Sequence, residues 1–158
     1  MRESMVALVS DIAVRRMTLK DIDRIAEIEK QSFHTPWTIE NFKYELTENR
    51  CAVYFVGEVN GVIAGYGGMW KMIDEGHITN IAVDPIYRCQ GVGNAILEAL
   101  IEYSKGNQIT GMTLEVRTKN LPAHSLYSKH GFKDEAIRRG YYTNPDDDAI
   151  IMWKNDIY

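Results

Sequence analysis

The sequence predicts one mixed α/β domain, and two observations carry that prediction. The chain has 158 residues, of which 45% are apolar and 25% are charged, values that are ordinary for a globular domain of this length. Hydrophobic periodicity alternates between the two-residue repeat of strands and the 3.6-residue repeat of helices, in the order β-α-α-β-β-β-α-β-α-β-β. We therefore expect a single domain over residues 11–158, preceded by a flexible N-terminal segment over residues 1–10.

The first part of the chain predicts one strand and two helices. Asp11 to Arg16 forms the predicted strand. The run Thr18-Leu19-Lys20-Asp21 is a capping signature, and apolar residues at helical spacing follow it to about Phe33. The stretch from His34 to Trp37 contains a proline and ends that helix, whereas Thr38 can cap a second one.

Three strands are predicted in the middle of the chain. Cys51 to Gly57 is rich in Val, Tyr and Phe, and an Asn60-Gly61 turn, whose residues accept positive φ, connects it to Val62–Lys71. His77 to Val83 is the third strand and leads into a loop that contains glycine. Glycine inside a strand indicates a close approach of backbone or ligand. The second of these strands contains Gly65, Gly67 and Gly68.

The last part of the chain predicts a helix, a strand, a short helix and a hairpin. The first helix begins near Val92 with an apolar face and ends at Gly106-Asn107. Met112 to Arg117 alternates apolar and polar residues, as a half-buried strand does. Asn120-Leu121-Pro122 starts the short helix, with proline in its first turn. The two final strands are Phe132–Arg138 and Ala149–Lys154.

The loop Arg88-x-x-Gly91-x-Gly93 lies between a predicted strand and a predicted helix. Glycines let the backbone approach a ligand, and the unpaired N–H groups and dipole of a helix N-terminus favour an anion such as pyrophosphate. The loop is not a P-loop, because no Gly-Lys-Ser/Thr follows it, and it lacks the third glycine of the dinucleotide fingerprint. By itself, Gly-x-Gly before a helix is a weak signal.

The run Ile81-Ala82-Val83-Asp84-Pro85-x-Tyr87-Arg88, followed by the two glycines, resembles motif A of the GCN5-related N-acetyltransferases (GNAT). The resemblance implies the GNAT fold, a mixed central sheet of about seven strands flanked by about four helices. It also implies acetyl-CoA as cosubstrate and no metal. In the family, strand residues offer backbone groups to the pantetheine arm and the loop holds the pyrophosphate. The matching positions are Ile81, Ala82 and Val83 for the arm, and Arg88, Cys89, Gln90, Gly91, Val92, Gly93 and Asn94 for the loop.

Composition argues against several other classes of protein. The net charge is −4, which gives no basic footprint for nucleic acid and is compatible with a basic substrate. The apolar runs are far shorter than the ~20 residues of a membrane-spanning helix, and no signal peptide is visible. Cys51 and Cys89 make no disulfide framework and fit a reducing compartment. We expect a cytoplasmic monomer or weak dimer that binds neither membranes nor nucleic acid.

Acyl transfer from a thioester to an amine needs a proton acceptor for the amine and a proton donor for the departing thiolate. Glu115 is the candidate acceptor, because it is an acid within the apolar alternation of a central strand. Burial would raise its pKa, whereas the neighbouring Arg117 would oppose that shift. His77 is a rival for the same role. The alternative is a carboxylate at a strand edge, paired with Arg117 or Lys119.

Tyr127 is the candidate proton donor, since phenol and thiol have comparable basicity. Its sequence context alone also fits a core aromatic. The segments Leu114-Glu115-Val116-Arg117, Asn120 and Ala123-x-x-Leu126-Tyr127-x-x-x-Gly131-Phe132 resemble the later motif of the same superfamily. The resemblance implies that Glu115 is the proton acceptor and Tyr127 the proton donor. It also implies that Asn120 and Tyr127 contact acetyl-CoA.

Two further segments narrow the resemblance to the ribosomal-protein alanine N-acetyltransferases, the RimI enzymes. They are Phe33-His34-x-Pro36-Trp37-Thr38 and Arg138-Arg139-x-Tyr141-Tyr142, the latter followed by Asp148-Ala149-Ile150-Ile151-Met152. The implied activity is Nα-acetylation of the N-terminal alanine of the eighteenth small-subunit ribosomal protein, by direct transfer in a ternary complex. Trp37, Tyr141 and Tyr142 are then candidate residues of the peptide groove, although ordinary packing explains each of them equally well.

The sequence departs from the family pattern at three positions. Cys89 and Asn94 stand where the family commonly has basic residues, and Gly140 stands where asparagine is common. The adjacent Arg88 can compensate for the missing charge, since most of the grip on a pyrophosphate comes from backbone amides. No local Cys-His pairing supports Cys89 as a nucleophile.

Two alternatives to protein Nα-acetylation remain open. The first keeps the fold and changes the acceptor to a small amine or a lysine side chain. The second is a non-catalytic acyl-CoA sensor, which the presence of both Glu115 and Tyr127 disfavours. His124 and His130 share no spacing with acids or thiols that is typical of a zinc site.

Overall fold

A computed structural model describes residues 11–158, so the flexible segment predicted over residues 1–10 lies outside the described residues. The described part contains four α-helices: α1 (Ile22–Ser32), α2 (Ile39–Thr47), α3 (Val92–Gly106) and α4 (Leu121–Lys129). It contains seven strands: β1 (Ile12–Arg16), β2 (Ala52–Val59), β3 (Val62–Met72), β4 (Glu75–Val83), β5 (Gly111–Arg117), β6 (Lys133–Tyr142) and β7 (Asp147–Lys154). The predicted order of elements is confirmed.

The seven strands form one mixed sheet in the order β1-β2-β3-β4-β5-β7-β6. Only β4 and β5 are parallel neighbours in it; the other pairs are antiparallel. The β4–β5 ladder is short: it joins Glu75–His77 to Gly111–Thr113 and then ends. Beyond that point Ile81–Val83 on β4 and Glu115 on β5 border a gap between the two strands. This gap is the structural feature around which the candidate site is built.

The two faces of the sheet carry separate hydrophobic clusters. On one face α3 packs with Ile96 and Leu100 against β1–β4, and Leu114 of β5 belongs to the same cluster. On the other face α1 and α2 cover Tyr54 and Tyr66. Because side chains alternate along a strand, burying Leu114 under α3 turns Glu115 toward the opposite face.

Local capping and turn residues explain where several elements begin. Thr18 forms a capping box before α1, and Thr38 Oγ1 accepts a hydrogen bond from the third residue of α2 at 3.1 Å. Asn120 Oδ1 accepts one from Ala123 N at 3.2 Å and so begins α4. The Asn60-Gly61 turn has φ of 51° and 83°. These features confirm the local predictions.

The glycines of β3 contact protein atoms. A Cβ at Gly67 would lie 2.5 Å from Ile96 Cγ2, and one at Gly68 would lie 2.1 Å from Tyr54 Cε1. A Cβ at Gly65 would lie 2.8 Å from the backbone oxygen of Ala82. The expected close backbone approach therefore holds at Gly65, whereas side-chain packing explains the other two and a ligand explains none.

The C-terminal hairpin is longer than the sequence predicts, because β6 continues to Tyr142. Irregularities at Asp134/Ala136 and Arg138/Tyr142 interrupt its pairing with β7, and nearly all of β6 is exposed. An exposed edge strand with bulges lacks the apolar alternation by which a strand is recognised. No helix within residues 11–158 combines the length and apolar character needed to cross a bilayer.

Candidate active site

The glycine-bearing loop brings backbone N–H groups to the start of α3. Gly91 is the residue that caps α3, with φ of +91°, and it has no side chain to accept a hydrogen bond from the first turn. The first N–H groups of a helix have no acceptor within the helix. Together with the helix dipole, they make this loop a suitable cradle for an anionic group such as a pyrophosphate.

Asp84 and Arg24 fix this loop to the rest of the fold. The buried Asp84 accepts hydrogen bonds from Ile86 N at 3.1 Å and from Arg24 Nη2 at 2.5 Å. The Arg24 hydrogen bond lowers the pKa of the Asp84 carboxyl group, so it stays ionised at neutral pH. Arg24 lies on α1 and also donates to Ile63 O at 3.1 Å. The sequence does not predict this role of Arg24, because Arg24 is distant in sequence from the loop.

The side chains of Arg88 and Asn94 in the loop have protein partners. Asn94 Oδ1 lies 2.6 Å from His130 Nε2, and Asn94 Nδ2 donates to Glu98 at 3.1 Å. Arg88 Nε donates to Val83 O at 3.3 Å, while Cys89 is exposed. Any contact of Asn94 with a bound phosphate would therefore come from its main chain.

The stretch Ile81–Val83 offers main-chain groups to the gap. On one side it pairs with Gly65–Gly67 of β3. On its other side the ladder to β5 has already ended at His77. An extended ligand with amide groups can bind a strand in such a position through main-chain hydrogen bonds. The residues therefore fit the pantetheine arm predicted for them.

Glu115 and His77 form a pair at the point where the ladder ends. Glu115 Oε2 accepts a hydrogen bond from His77 Nε2 at 2.6 Å, and both side chains are largely shielded from solvent. This hydrogen bond raises the pKa of His77, an effect that burial partly opposes. The alternative pairing of Glu115 with Arg117 or Lys119 is wrong, because among the described residues the ion pair of Glu115 is with His77.

Arg117 organises the turn beside Glu115. Its guanidinium lies 4.2 Å from the ring centre of Tyr142 and donates to Pro145 O at 2.8 Å and to Thr143 O at 3.3 Å. Burial is the first cause that raises the pKa of Tyr142 to about 12, and the nearby Glu115 carboxylate adds to the shift. Tyr142 is thus held close to the candidate base.

Tyr127 combines a packed ring with an available hydroxyl group. The residue is 7% exposed, and its ring lies 5.8 Å from that of Phe132. Its hydroxyl makes no hydrogen bond to any residue within 11–158, and no fully enclosed polar side-chain atom in that range lacks a partner, so the hydroxyl oxygen reaches solvent. Burial raises the pKa of Tyr127, which keeps the phenol protonated at neutral pH. The Tyr127 ring is therefore part of the core, as the alternative interpretation of this residue predicts.

The predicted groove residues are not brought into one cluster. Trp37 packs against Phe42 and Tyr54, with ring centres 5.5 and 6.5 Å apart. Tyr141 and Tyr142 contact each other on β6, with ring centres 4.9 Å apart. Asn120, predicted to contact acetyl-CoA, uses its side-chain oxygen to cap α4.

The site thus combines a strand edge, a loop suited to an anion and a shielded acid–base pair around one gap. Comparison with known proteins shows to which family the chain belongs. The sequence profile of the acetyltransferase (GNAT) family matches residues 22–132, more than half of the chain. The chain belongs to the GNAT acetyltransferase family. It is therefore an acyltransferase with the GNAT fold, as the sequence motifs predict, and enzymes of this family use acetyl-CoA.

Individual relatives extend the match over nearly the whole chain. A Bacillus subtilis (strain 168) protein is 46% identical over 89% of this chain and 93% of its own length; its name gives alanine N-acetylation of ribosomal protein bS18 as a provisional assignment. The [ribosomal protein bS18]-alanine N-acetyltransferase of Escherichia coli (strain K12) is 37% identical over 84% of this chain and 89% of its own length. The crystal structure of the E. coli ribosomal-protein-S18-alanine N-acetyltransferase superposes with a TM-score of 0.82, at 33% identity over 90% and 92% of the two chains.

Proposed function

We propose that this GNAT enzyme transfers the acetyl group of acetyl-CoA to the N-terminal α-amine of a ribosomal protein, with the N-terminal alanine of bS18 as the acceptor. The similarity to relatives named for that reaction, over most of both chains, supports the choice of acceptor. The single structural observation that carries the proposal is the His77–Glu115 pair, held at the gap beside Ile81–Val83.

The residues that would hold acetyl-CoA lie on β4, on the loop before α3 and on α4. Ile81, Ala82 and Val83 would bind the pantetheine amides, and the main chain from Cys89 to Asn94, with Arg88 beside it, would bind the pyrophosphate. Asn120 and Tyr127 would contact the cofactor from α4. When bound there, acetyl-CoA supplies an acyl group already activated as a thioester.

Glu115 is the proton acceptor in this proposal. Its Oε2 atom is engaged by His77, whereas its Oε1 atom has no hydrogen-bond partner within residues 11–158. Oε1 can take a proton from the incoming ammonium, directly or through a water molecule, and leave an amine with a free electron pair. The hydrogen bond from His77 holds the Glu115 carboxylate in position for this step.

Transfer then joins the amine nitrogen to the acyl carbon and breaks the bond from that carbon to sulfur, without an acyl-enzyme. A main-chain N–H of Ile81–Val83 would stabilise the negative charge that develops on the acyl oxygen. The Tyr127 hydroxyl would give its proton to the departing thiolate, and the second proton that the nitrogen loses as the amide forms would restore the tyrosine hydroxyl through water. Two features support that role: the phenol carries its proton at neutral pH, and its oxygen has no competing hydrogen-bond partner within the described residues.

Mass spectrometry of a peptide panel incubated with acetyl-CoA tests the proposal. The panel contains basic peptides that begin with Ala, Ser, Met or Gly, and one peptide with a blocked α-amine and internal lysines. Acetylation of the α-amine of the Ala-initiated peptide is the expected result. Modification of the blocked peptide would identify a lysine acetyltransferase instead. The absence of any product, with acetyl-CoA still bound, would favour a small-amine enzyme or a sensor.

A further inference from the structure

A buried carboxylate on α1 connects the turn before α2 to strand β4. Glu29 is 3% exposed, and its Oε2 atom accepts a hydrogen bond from the backbone N–H of Trp37 at 2.9 Å. Its Oε1 atom accepts one from the hydroxyl of Tyr66 on β3. That hydroxyl in turn accepts from Asn80 Nδ2 at 2.7 Å. Asn80 directly precedes Ile81, the first residue of the proposed cofactor strand.

The hydrogen bond from Trp37 N to Glu29 connects the turn to α1 and, through Tyr66, to the sheet. Of residues 34–37, Trp37 alone forms a hydrogen bond with another element within the part of the chain that the structure describes. The side chains of Thr38 and Asn41, which follow, accept hydrogen bonds from each other's backbone N–H across the start of α2, so they do not link the turn to another element. Without Glu29, the segment from His34 to Trp37 would keep only the packing of the Trp37 ring.

A carboxylate is an unfavourable group to bury, so its presence here calls for a reason. Burial raises the pKa of Glu29, although the N–H of Trp37 and the hydroxyl of Tyr66 oppose that shift. An apolar side chain of similar volume would often be as stable at such a position. What an apolar side chain cannot provide is a pair of acceptors that fixes the turn relative to β3 and β4.

We propose that Glu29 is a positioning residue for the acceptor, because its carboxylate holds the turn around Trp37 beside the gap where the acceptor peptide binds. The inference rests on the proposed function and on the prediction from the sequence that Trp37 borders the peptide groove. Glu29 touches neither acetyl-CoA nor the acceptor. Its loss lets the turn move and weakens peptide binding, while the loop before α3 and the His77–Glu115 pair stay in place.

Three substitutions separate this role from a general effect on folding. Glu29→Leu removes both acceptors, and Glu29→Gln keeps one oxygen for the Trp37 N–H. Tyr66→Phe removes the other partner of the carboxylate and leaves the turn bonded. All three disturb the same buried network, but only Glu29→Leu releases the turn.

Steady-state kinetics with the peptide that the wild-type enzyme acetylates give the decisive measurement. For Glu29→Leu we expect the peptide KM to rise about tenfold or more, with the acetyl-CoA KM and kcat changed by less than about threefold. Glu29→Gln and Tyr66→Phe should keep a peptide KM near that of the wild type. A peptide KM that is unchanged in a folded Glu29→Leu protein, or raised equally by Tyr66→Phe, would overturn the inference and leave the proposed function standing.

Hydrogen–deuterium exchange of the wild-type and Glu29→Gln proteins provides a readout without substrate. The Trp37 amide should exchange slowly in both, because an oxygen acceptor is kept in both. Fast exchange of this amide in the wild-type protein would overturn the anchoring role even if Glu29→Leu does not fold. A wild-type enzyme that acetylates no peptide would instead contradict the proposed function, and this inference would fall with it.

Discussion

His77 Nε2 lies 2.6 Å from Glu115 Oε2. His77 is the last residue of β4 that pairs with β5, and Glu115 lies two residues beyond its partner Thr113. The sequence presents the two residues as rivals for one role, whereas the fold makes them partners. Their hydrogen bond places the imidazole against the proposed base and raises the pKa of His77. Because Oε2 already accepts the hydrogen bond from His77, Oε1 is the oxygen that can receive a proton from a substrate amine.

Replacing Glu115 by Gln should lower kcat by about 10²–10⁴, because the amide cannot accept the ammonium proton. Acetyl-CoA binding should change little, since its proposed contacts lie on β4, α3 and α4. Single-turnover kinetics and calorimetric titration with CoA provide the two measurements. Unchanged turnover would move the base role to His77 or to water.

The stability of the fold should depend on the protonation of His77. Its pKa is raised above the ordinary value of 6.5 in the folded state, so folding favours the protonated imidazole. The contribution of the pair, on the order of 1 kcal/mol, is complete below about pH 6.5 and is lost as the pH rises through the raised pKa. Urea unfolding of the wild type and His77→Gln at pH 6 and pH 8.5 measures it. A stability difference between the two proteins that does not shrink at the higher pH would contradict this prediction.

Replacing Tyr127 by Phe should lower kcat by about 10²-fold or more, because no proton donor then meets the thiolate. The stability should change by less than about 1 kcal/mol, since the hydroxyl has no hydrogen-bond partner within the described residues and the ring is retained. Thermal unfolding and steady-state rates distinguish the two effects. A Tyr127→Phe protein that is mainly unfolded would show that the residue acts only in the core.

Elements defined by neighbouring residues could be predicted from the sequence. The cap at Thr38, the Asn60-Gly61 turn and the loop around Gly91 each depend on a few consecutive residues, and all are present in the structure. The parallel pairing of β4 and β5 also follows from the strand–loop–helix–strand order. The small number of residues in that ladder does not. That length is what opens the gap.

Contacts between distant residues could not be predicted. Arg24 reaches Asp84, and Glu29 reaches Tyr66, only once α1 lies across the sheet. A glycine in the sequence of β3 does not reveal whether a ligand or a protein side chain occupies the space next to it. Gly68 faces Tyr54, a residue of the adjacent strand whose ring direction depends on the packing of α2.

Adding a methyl group at Gly68 should destabilise the fold without changing the cofactor site. Gly68→Ala would place Cβ 2.1 Å from the buried ring of Tyr54, and overpacking of this kind costs about 1–3 kcal/mol. Gly106→Ala is the matched control, because no atom lies within 4 Å of its Cβ position. Urea midpoints with equal m-values provide the comparison. Equal midpoints for the two variants would mean that Tyr54 moves aside readily.

The grip on the pyrophosphate should come from the backbone of the loop and not from its side chains. Gly91 has φ of +91°, a conformation in which a Cβ introduces strain, so Gly91→Ala should displace the N–H groups at the start of α3 and weaken CoA binding about tenfold or more. Asn94→Ala is the control, since the Asn94 side chain bonds to His130 and Glu98 and its loss should change the Kd for CoA by less than about threefold.

Calorimetric titration of both variants with CoA and with dephospho-CoA makes the comparison and keeps the pyrophosphate common to the two ligands. Gly91→Ala should weaken both ligands by the same factor, because the loop holds the group that they share. If Asn94→Ala weakened CoA as much as Gly91→Ala did, the side chain would have to leave His130 on binding. The contact at this position would then be a polar side chain that stands in for the basic residue common in the family.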